Sequence, residues 1–234
     1  MTHNLSETKK SNILLKAENL FFTYEGDEHP ALNGLSLEIE RGKKIACMGS
    51  NGSGKSTFFL CCNGIHKPQK GTLYYNNEAF IYSKKWLLEL RKKVGIIFQD
   101  SDRQLFCASV RQEISFGLFN LGYSEEEVRK KVNAIMEKLH MTSFAHKPTH
   151  ALSGGQKKLV AIADILVMEP ELVILDEPTA ALDPLHTELV HGMIDDISSQ
   201  GTTVMVATHD TNYATNWADE ILIFQDGKVL SHEA

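Results

Sequence analysis

The sequence carries, at residues 49–57, the stretch Gly49-Ser50-Asn51-Gly52-Ser53-Gly54-Lys55-Ser56-Thr57. It fits the pattern G-x-x-x-x-G-K-[ST] of a phosphate-binding loop. The mainly apolar residues 44–48 before it predict a buried strand, and the apolar residues 58–62 after it predict a helix. Strand, glycine loop and helix are the context that this motif requires. A glycine-rich turn without a ligand is therefore the weaker interpretation.

The chemistry of this loop follows from its glycines and from the helix behind it. Gly49, Gly52 and Gly54 can adopt backbone angles closed to other residues, so successive N–H groups can point into one concavity. The positive end of the following helix adds to that anion site. We expect Lys55 to reach the β- and γ-phosphates of a nucleotide, and the Ser56 hydroxyl to bind Mg²⁺.

The whole-chain composition excludes several classes of protein. The 234 residues are 42% hydrophobic and 23% charged, which is typical of a globular chain of one large or two small domains. A net charge of −6 argues against a nucleic-acid partner, which usually requires a basic surface. No apolar run reaches the ~18 residues of a membrane span. Residues 1–7 lack a signal core, which predicts a cytoplasmic protein with a loose tail up to about residue 11.

Several strands are predicted to end in polar side chains. The apolar residues 94–98, 172–175 and 202–207 predict core strands. If these strands are parallel, their carboxyl ends share one edge of the sheet, where α/β folds bind ligands. The side chains that follow them are Gln99, Asp176 with Glu177, and His209.

Each of these side chains has a candidate role and an alternative. Gln99 is expected to hold a Mg²⁺-bound or attacking water, or else to be a solvated strand end. Asp176 suits Mg²⁺ through water, and Glu177 suits the attacking water as general base; the alternative is a pair of ordinary surface acids. His209 can donate a hydrogen bond to a phosphate oxygen, or else is structural. Tyr24, at the end of the first predicted strand, either stacks on a purine or packs at the strand end.

Residues 100–152 contain helix signals but no strand signals. Ser109 is a candidate N-cap for residues 110–120, and Ser124 with Glu127 predicts a capping box for a helix that ends near residue 139. This pattern predicts a helical insertion, about residues 100–155, in a single α/β domain. Residues 104–106 at its entry, Gln-Leu-Phe, predict either a contact surface for a partner or packing against the core.

A second hydroxyl-plus-glycine stretch opens the helix predicted at residues 157–168. It consists of Leu152, Ser153, Gly154, Gly155 and Gln156. It is either a second anion site or an ordinary N-cap with glycines in the turn. The presence of two anion-binding helix starts in one protein is explained if both bind the phosphates of the same ligand. Asp183 and Pro184 then predict the N-cap and first residue of a helix that ends near residue 199.

Taken together, these motifs resemble those of the ATP-binding-cassette (ABC) ATPases over essentially the whole chain. Residues 49–57 resemble the Walker A loop, Gln99 the Q-loop, residues 152–156 the signature segment and residues 173–177 the Walker B strand. Residues 181–183 resemble the D-loop, His209 the H-loop and Tyr24 the adenine-stacking aromatic. The resemblance implies an α/β fold with a RecA-like, mostly parallel sheet, an N-terminal antiparallel β subdomain and the inserted helical subdomain.

Within that family the chain resembles the energy-coupling-factor ATPases, which include those of cobalt, nickel and vitamin importers. The similar stretches are residues 98–106, residues 116–118 with 120–122, and residues 156–158 with 160–163. The chain departs from the usual pattern at Leu159, where the family usually has Arg, at Asp164, where Gly or Arg is usual, and at Ala180, which replaces a common Ser. These departures bear on the packing of the signature helix and on the rate of hydrolysis.

The resemblance further implies ATP and Mg²⁺ as ligands and a head-to-tail dimer with an identical or related ATPase. Residues 153–156 and Asp183 of one subunit would close the ATP held by Walker A of the other. The dimer would drive a transmembrane coupling subunit and a substrate-binding membrane subunit from the cytoplasmic face of the membrane. The alternatives are a non-transport ABC ATPase acting on nucleic acid or ribosomes, and a phosphate-loop kinase. A kinase of that kind would have no segment like residues 152–156.

Overall fold

The computed structural model describes residues 12–233, so the predicted N-terminal tail lies outside the described residues. The strands are β1 Ile13–Phe22, β2 Leu32–Glu40, β3 Lys44–Met48, β4 Lys70–Tyr75, β5 Glu78–Ala79, β6 Val94–Ile97, β7 Leu172–Asp176, β8 Thr203–Ala207, β9 Glu220–Gln225 and β10 Lys228–Glu233. The helices are α1 Lys55–Cys62, α2 Lys84–Lys93, α3 Val110–Asn120, α4 Glu125–Lys138, α5 Gly154–Leu166, α6 Pro184–Ser199 and α7 Thr211–Trp217.

The larger sheet has the strand order β10-β9-β3-β8-β7-β6, and only β10 pairs antiparallel. Its central strands are buried on both faces, as their continuous apolar sequence requires; Leu172 through Leu175 expose none of their surface. The expected parallel sheet is confirmed. Its consequence is that β3, β6, β7 and β8 all deliver their carboxyl ends to one edge.

The smaller sheet, of order β2-β1-β4-β5, is antiparallel throughout. In β2, Leu35, Leu37 and Ile39 are buried and alternate with exposed residues, which is the pattern of a strand with one solvated face. The expected N-terminal antiparallel β region is thereby confirmed. The loop between β1 and β2 leads from this sheet to the edge where β3 ends.

Between β6 and α5 the described chain contains helices and short 3-10 turns only. The predicted caps are present: the Ser109 side chain caps α3, and Ser124 and Glu127 form the capping box of α4. The buried stripe of α4 consists of Val128, Val132 and Met136, and Ile135 is only partly buried. None of the described helices combines the length and apolar character of a membrane span.

The helix α5 joins this helical region to the large sheet. It begins at Gly154 and not at the predicted Lys157, because the Ser153 and Gln156 side chains form a capping box over the glycines. Val160, Ala163 and Val167 pack on α3 and α4, while Ala161 and Ile162 pack in the core of the large sheet. α5 therefore contacts both halves of the molecule.

Candidate nucleotide site

A cavity of about 600 Å³ lies at the carboxyl edge of the large sheet. It collects most of the residues predicted from separate motifs, although they are up to 185 positions apart from Tyr24 to His209. The predicted residues that line it are Tyr24, Asn51, Gly52, Ser53, Gly54, Lys55, Ser56, Thr57, Gln99, Asp176, Glu177 and His209.

The shape of the glycine loop depends on the missing side chains at two positions. Gly49 has φ +146° and Gly54 has φ +106°, both in the left-handed region that favours glycine. A Cβ at Gly49 would lie 2.3 Å from the carbonyl oxygen of Phe224, and one at Gly54 would lie 2.5 Å from that of Ala31. The loop can pass this close to its neighbours only with glycine at both positions.

Lys55 is buried and bonded to its own loop. Its Nζ donates to the carbonyl oxygens of Gly49 at 2.7 Å and Ser50 at 3.1 Å, and lies 3.5 Å from Ser53 Oγ. The ammonium is thereby held within the concavity. Because the loop N–H groups, the start of α1 and this ammonium are all positive, the loop suits an anion such as a phosphate.

Glu177 and His209 face each other beyond the loop. Nε2 of His209 lies 3.2 Å from Glu177 Oε1 and 3.2 Å from Asn51 Oδ1. Burial raises the pKa of the Glu177 carboxyl, and the neighbouring His209 opposes that shift. Glu177 also has φ +46°, an unusual backbone conformation for a residue other than glycine. Such strain is often found at sites of chemistry.

Ser56, Gln99 and Asp176 bring a hydroxyl, an amide and a carboxylate to the same cavity. Hard oxygen ligands of this kind, with a single carboxylate, suit Mg²⁺, which completes its octahedron with water and phosphate oxygens. Among residues 12–233 no cluster of three or more His, Cys, Asp or Glu side chains could hold a metal without such help. The donor set therefore fits a metal that arrives with a nucleotide.

Residues of the signature segment, 152–156, do not line this cavity, nor does Asp183. Ser153 and Gly154 are exposed, and Gly155 is buried against the ring of His186, whose Cδ2 would lie 2.1 Å from a Cβ at that position. Asp183 caps α6 and its Oδ2 lies 2.6 Å from His186 Nδ1. His186 thus packs against Gly155 and bonds to Asp183, which ties the signature segment to the D-loop residue of the same chain.

The contact surface predicted at residues 104–106 needs correction. The Gln104 side chain turns inward, where Oε1 accepts from the Phe98 N–H at 3.2 Å and Nε2 donates to the Ile96 carbonyl at 3.3 Å. Leu105 is partly buried against two core clusters. Phe106 alone projects outward, with 67% of its surface exposed, and its ring meets Phe116 edge to face at 4.8 Å.

Sequence reasoning missed several residues at the site. Asp27, His29, Pro30, Ala31 and Ala180 also line the cavity, although the turn-rich loop before β2 carries no motif. Lys158, which lies outside the cavity but bonds to the Gln99 carbonyl, was missed as well, although the sequence carried a signal for it. It falls on the helical stripe of Gly155, Ile162 and Ile165, which α5 buries, so a lysine at this position needs internal partners.

Comparison with known proteins agrees with this geometry. Residues 32–180 match the protein family described as ABC transporter. The energy-coupling factor transporter ATP-binding protein EcfA of Methanococcus maripaludis is 43% identical over 217 residues, which cover 93% of this chain and 78% of EcfA.

Two solved structures are similar over nearly the whole chain. CbiO1 from Clostridium perfringens, described as part of the ABC transporter complex cbiONQ, has a TM-score of 0.84 and 41% identity and covers 94% of this chain and 88% of its own. A dimeric ATP-binding cassette in a post-hydrolysis state with ADP and Pi has a TM-score of 0.85 and 31% identity over 94% and 98%. The chain belongs to the ATP-hydrolysing cassettes of the ABC transporter family.

Proposed function

We propose that this chain is the ATPase subunit of an energy-coupling-factor importer and acts from the cytoplasmic face of the membrane. The observation that carries the nucleotide part is the convergence of the glycine loop and three strand ends on one cavity. The importer part is supported by the likeness to EcfA and to CbiO1. The substrate class is a metal ion, cobalt or nickel, or a vitamin.

In this proposal the cavity binds ATP with Mg²⁺, and the chain supplies positioning and charge. The glycine loop and Lys55 hold the phosphates, and Tyr24 stacks on the adenine. Ser56, Gln99 and Asp176 hold the metal, which neutralises phosphate charge when bound. Glu177 accepts the proton of the attacking water: its Oε1 has no aligned hydrogen-bond donor among the described residues, and its pKa is raised. His209 donates to the γ-phosphate.

The partner ATPase is proposed to complete the site from outside. The signature segment exposes Ser153 and Gly154, and thereby presents the Ser153 hydroxyl and the first N–H groups of α5. A second copy or a related chain, placed head to tail, brings that segment to the cavity of the first. Asp183 then lies at the same interface. This arrangement explains why one chain carries two anion sites.

A membrane subunit is proposed to bind beside Phe106. Phe106, Phe116 and Phe119 are large exposed apolar side chains of the helical region. An apolar groove of about 280 Å³ lies nearby between α2, β6 and α3, lined in part by Leu88 and Met168. Exposed aromatic groups beside such a groove suit a protein partner. The transmembrane coupling subunit would bind there and carry the substrate-binding membrane subunit with it.

The test is purification of the native complex from detergent-solubilised membranes. Membrane proteins are expected to co-purify with the chain, together with ATP hydrolysis that requires Mg²⁺. Phe106→Ser is expected to reduce the co-purified membrane protein about tenfold, the effect of losing one interface anchor. The control is Ile81→Ser, because Ile81 is similarly exposed at 58% but lies outside this surface.

If no membrane protein travels with the chain, the importer proposal is wrong. If Phe106→Ser retains as much membrane protein as Ile81→Ser, the importer proposal stands but the proposed docking surface is wrong. Sequencing of the co-purified polypeptides identifies the substrate class through the substrate-binding subunit.

A further inference from the structure

Lys158 of α5 is a buried ammonium for which the structure records no ion pair among the described residues. Only 3% of its surface is exposed; burial lowers its pKa to about 8, and the charges of Asp100 and Asp176 oppose that shift from a distance. Its Nζ donates instead to the carbonyl oxygens of Phe98 at 2.9 Å and Gln99 at 2.8 Å. A buried charge is costly unless its hydrogen bonds are used, and here they are used on the backbone that carries Gln99.

The loop that follows β6 is also held by the side chains of Gln104 and Lys157. Gln104 bonds to both Phe98 N–H and the Ile96 carbonyl, which pins the loop to the end of its own strand. Lys157 makes an ion pair with Asp102 at 2.5 Å, further along the same loop. Lys157 and Lys158 both reach this loop from α5. Lys158 is the more buried of the two, and it is the one that bonds to the backbone of Gln99.

The other half of α5 is in direct contact with β6. A Cβ at Gly95, in the middle of β6, would lie 2.2 Å from Cγ2 of Ile165. The Ile165 side chain can approach the strand this closely only because position 95 is glycine. Ser153 is the N-cap of α5, and Gln99 lies two residues beyond the end of β6. The packed pair of α5 and β6 therefore connects the signature segment with Gln99.

We propose that Lys158 is a positioning residue that sets Gln99 relative to the signature helix. Its two hydrogen bonds make the Gln99 contact in one nucleotide site and the Ser153 contact with the partner's nucleotide move together. The proposal rests on the proposed function, because it assigns Gln99 to the metal and Ser153 to the partner's site. Without the ammonium, the carbonyls of Phe98 and Gln99 lose their side-chain donor and the loop relaxes.

The experiment compares Lys158→Met, Lys158→Arg and the control Lys138→Met in the purified ATPase. Lys138 is exposed on α4 and its Nζ donates to the Gln200 side chain, away from the loop. Three quantities are measured: amide hydrogen exchange of residues 98–102, ATP binding without metal, and the Mg²⁺ concentration that gives half the maximal rate. The first two do not depend on hydrolysis.

Lys158→Met is expected to speed amide exchange of residues 98–102 and to raise the half-maximal Mg²⁺ concentration, each about tenfold, the usual effect of one lost buried hydrogen bond. ATP binding without metal stays within about twofold, because Lys158 does not line the nucleotide cavity. Lys158→Arg restores most of both losses, since its guanidinium also donates to two carbonyls. Lys138→Met behaves as the unchanged protein.

Lys158→Met with unchanged exchange and unchanged Mg²⁺ dependence would overturn the inference. So would a loss of metal-free ATP binding in proportion to the loss of rate, because that result indicates general unfolding. Lys158→Gln, which keeps a neutral donor, repeats the test if the Met variant does not fold. A wild-type protein that does not hydrolyse ATP would instead contradict the proposed function, and the role of Lys158 with it.

Discussion

The glycine loop at residues 49–57 and the signature segment at residues 152–156 are both glycine-containing helix starts, but they lie in different surroundings. Both place glycines at the start of a helix, where backbone N–H groups are free to bind an anion. The glycine loop lies in a cavity that is also lined by residues at or just beyond the ends of β6, β7 and β8. The signature segment lies on the surface, apart from that cavity. The first helix start is completed within the chain by these strand ends, and we propose that a partner chain completes the second.

The caps of the two helices differ in a way that fits this division. α1 begins at a left-handed Gly54 with no side-chain cap, so its first N–H groups are left for a ligand. α5 begins with a capping box, in which Ser153 Oγ accepts from the Gln156 N–H at 3.2 Å. The first helix therefore offers its whole N-terminus to an anion. The second keeps part of its N-terminus occupied and offers fewer groups.

Loss of the Glu177 carboxylate is expected to have the strongest effect on the cavity. Glu177→Gln removes the proposed base and leaves the shape of the cavity unchanged, so hydrolysis is expected to fall by ~10²–10⁴-fold, the usual contribution of a positioned base. ATP binding is retained. Steady-state hydrolysis and equilibrium binding are measured side by side, with Glu169→Gln as the control, because Glu169 is an exposed acid bonded to Lys131. Wild-type turnover in Glu177→Gln would remove Glu177 from the mechanism.

A smaller effect is expected from a buried acid in the signature helix. Asp164 lies on α5, and burial, with the nearby Glu113 carboxyl, raises its pKa to about 7. In the unfolded chain the pKa of an Asp side chain is ~3.9. The folded chain therefore holds this proton more tightly, so raising the pH from 5 to 8 ionises Asp164 against its surroundings and lowers the free energy of unfolding.

Asp164→Asn removes this penalty. The variant is expected to be more stable than the wild type by roughly 2–4 kcal/mol at pH 8 and by less at pH 5, as measured by urea unfolding at both pH values. The size of this stability gain follows from the difference between the folded and unfolded pKa of Asp164. It is reduced because Asp164 is partly exposed. An equal stability difference at pH 5 and pH 8 would contradict the account of Asp164, because a change of packing alone does not depend on protonation.

The fold and the cavity were predictable to a large extent, because their signals are local. Ser109, Ser124 and Asp183 each start a helix where a short polar side chain precedes an apolar stripe. The apolar strands are followed directly by Gln99, Asp176 and His209, and parallel pairing alone brings these residues to one edge. A sequence pattern is sufficient where chemistry and spacing act over a few residues.

The parts that sequence analysis did not predict depend on distant contacts. Gln104 carries no mark that distinguishes an exposed amide from one that pins Phe98, and the difference appears only when β6 and the following loop are packed. His29 reaches the cavity because the loop before β2 folds over the glycine loop. The start of α5 was placed too late because its glycines suggested a turn, and the Ser153–Gln156 box outweighs them.

We propose that each nucleotide site is completed by a second chain. A mixture of two inactive variants tests this directly. Lys55→Ala loses the glycine-loop ammonium but keeps the signature segment. Ser153→Asp keeps a good N-cap residue and places a negative charge where the partner's phosphate would bind. Each variant alone is expected to hydrolyse little ATP.

A one-to-one mixture forms mixed dimers in which one site has an intact glycine loop and an intact signature segment. Half of the dimers are mixed and each has one of its two sites intact, so about a quarter of the wild-type rate is expected for random pairing in a symmetric dimer. The measurement is the rate of ATP hydrolysis by the mixture against the sum of the two variants. Recovered hydrolysis supports completion by a partner chain, and a rate equal to that sum contradicts it.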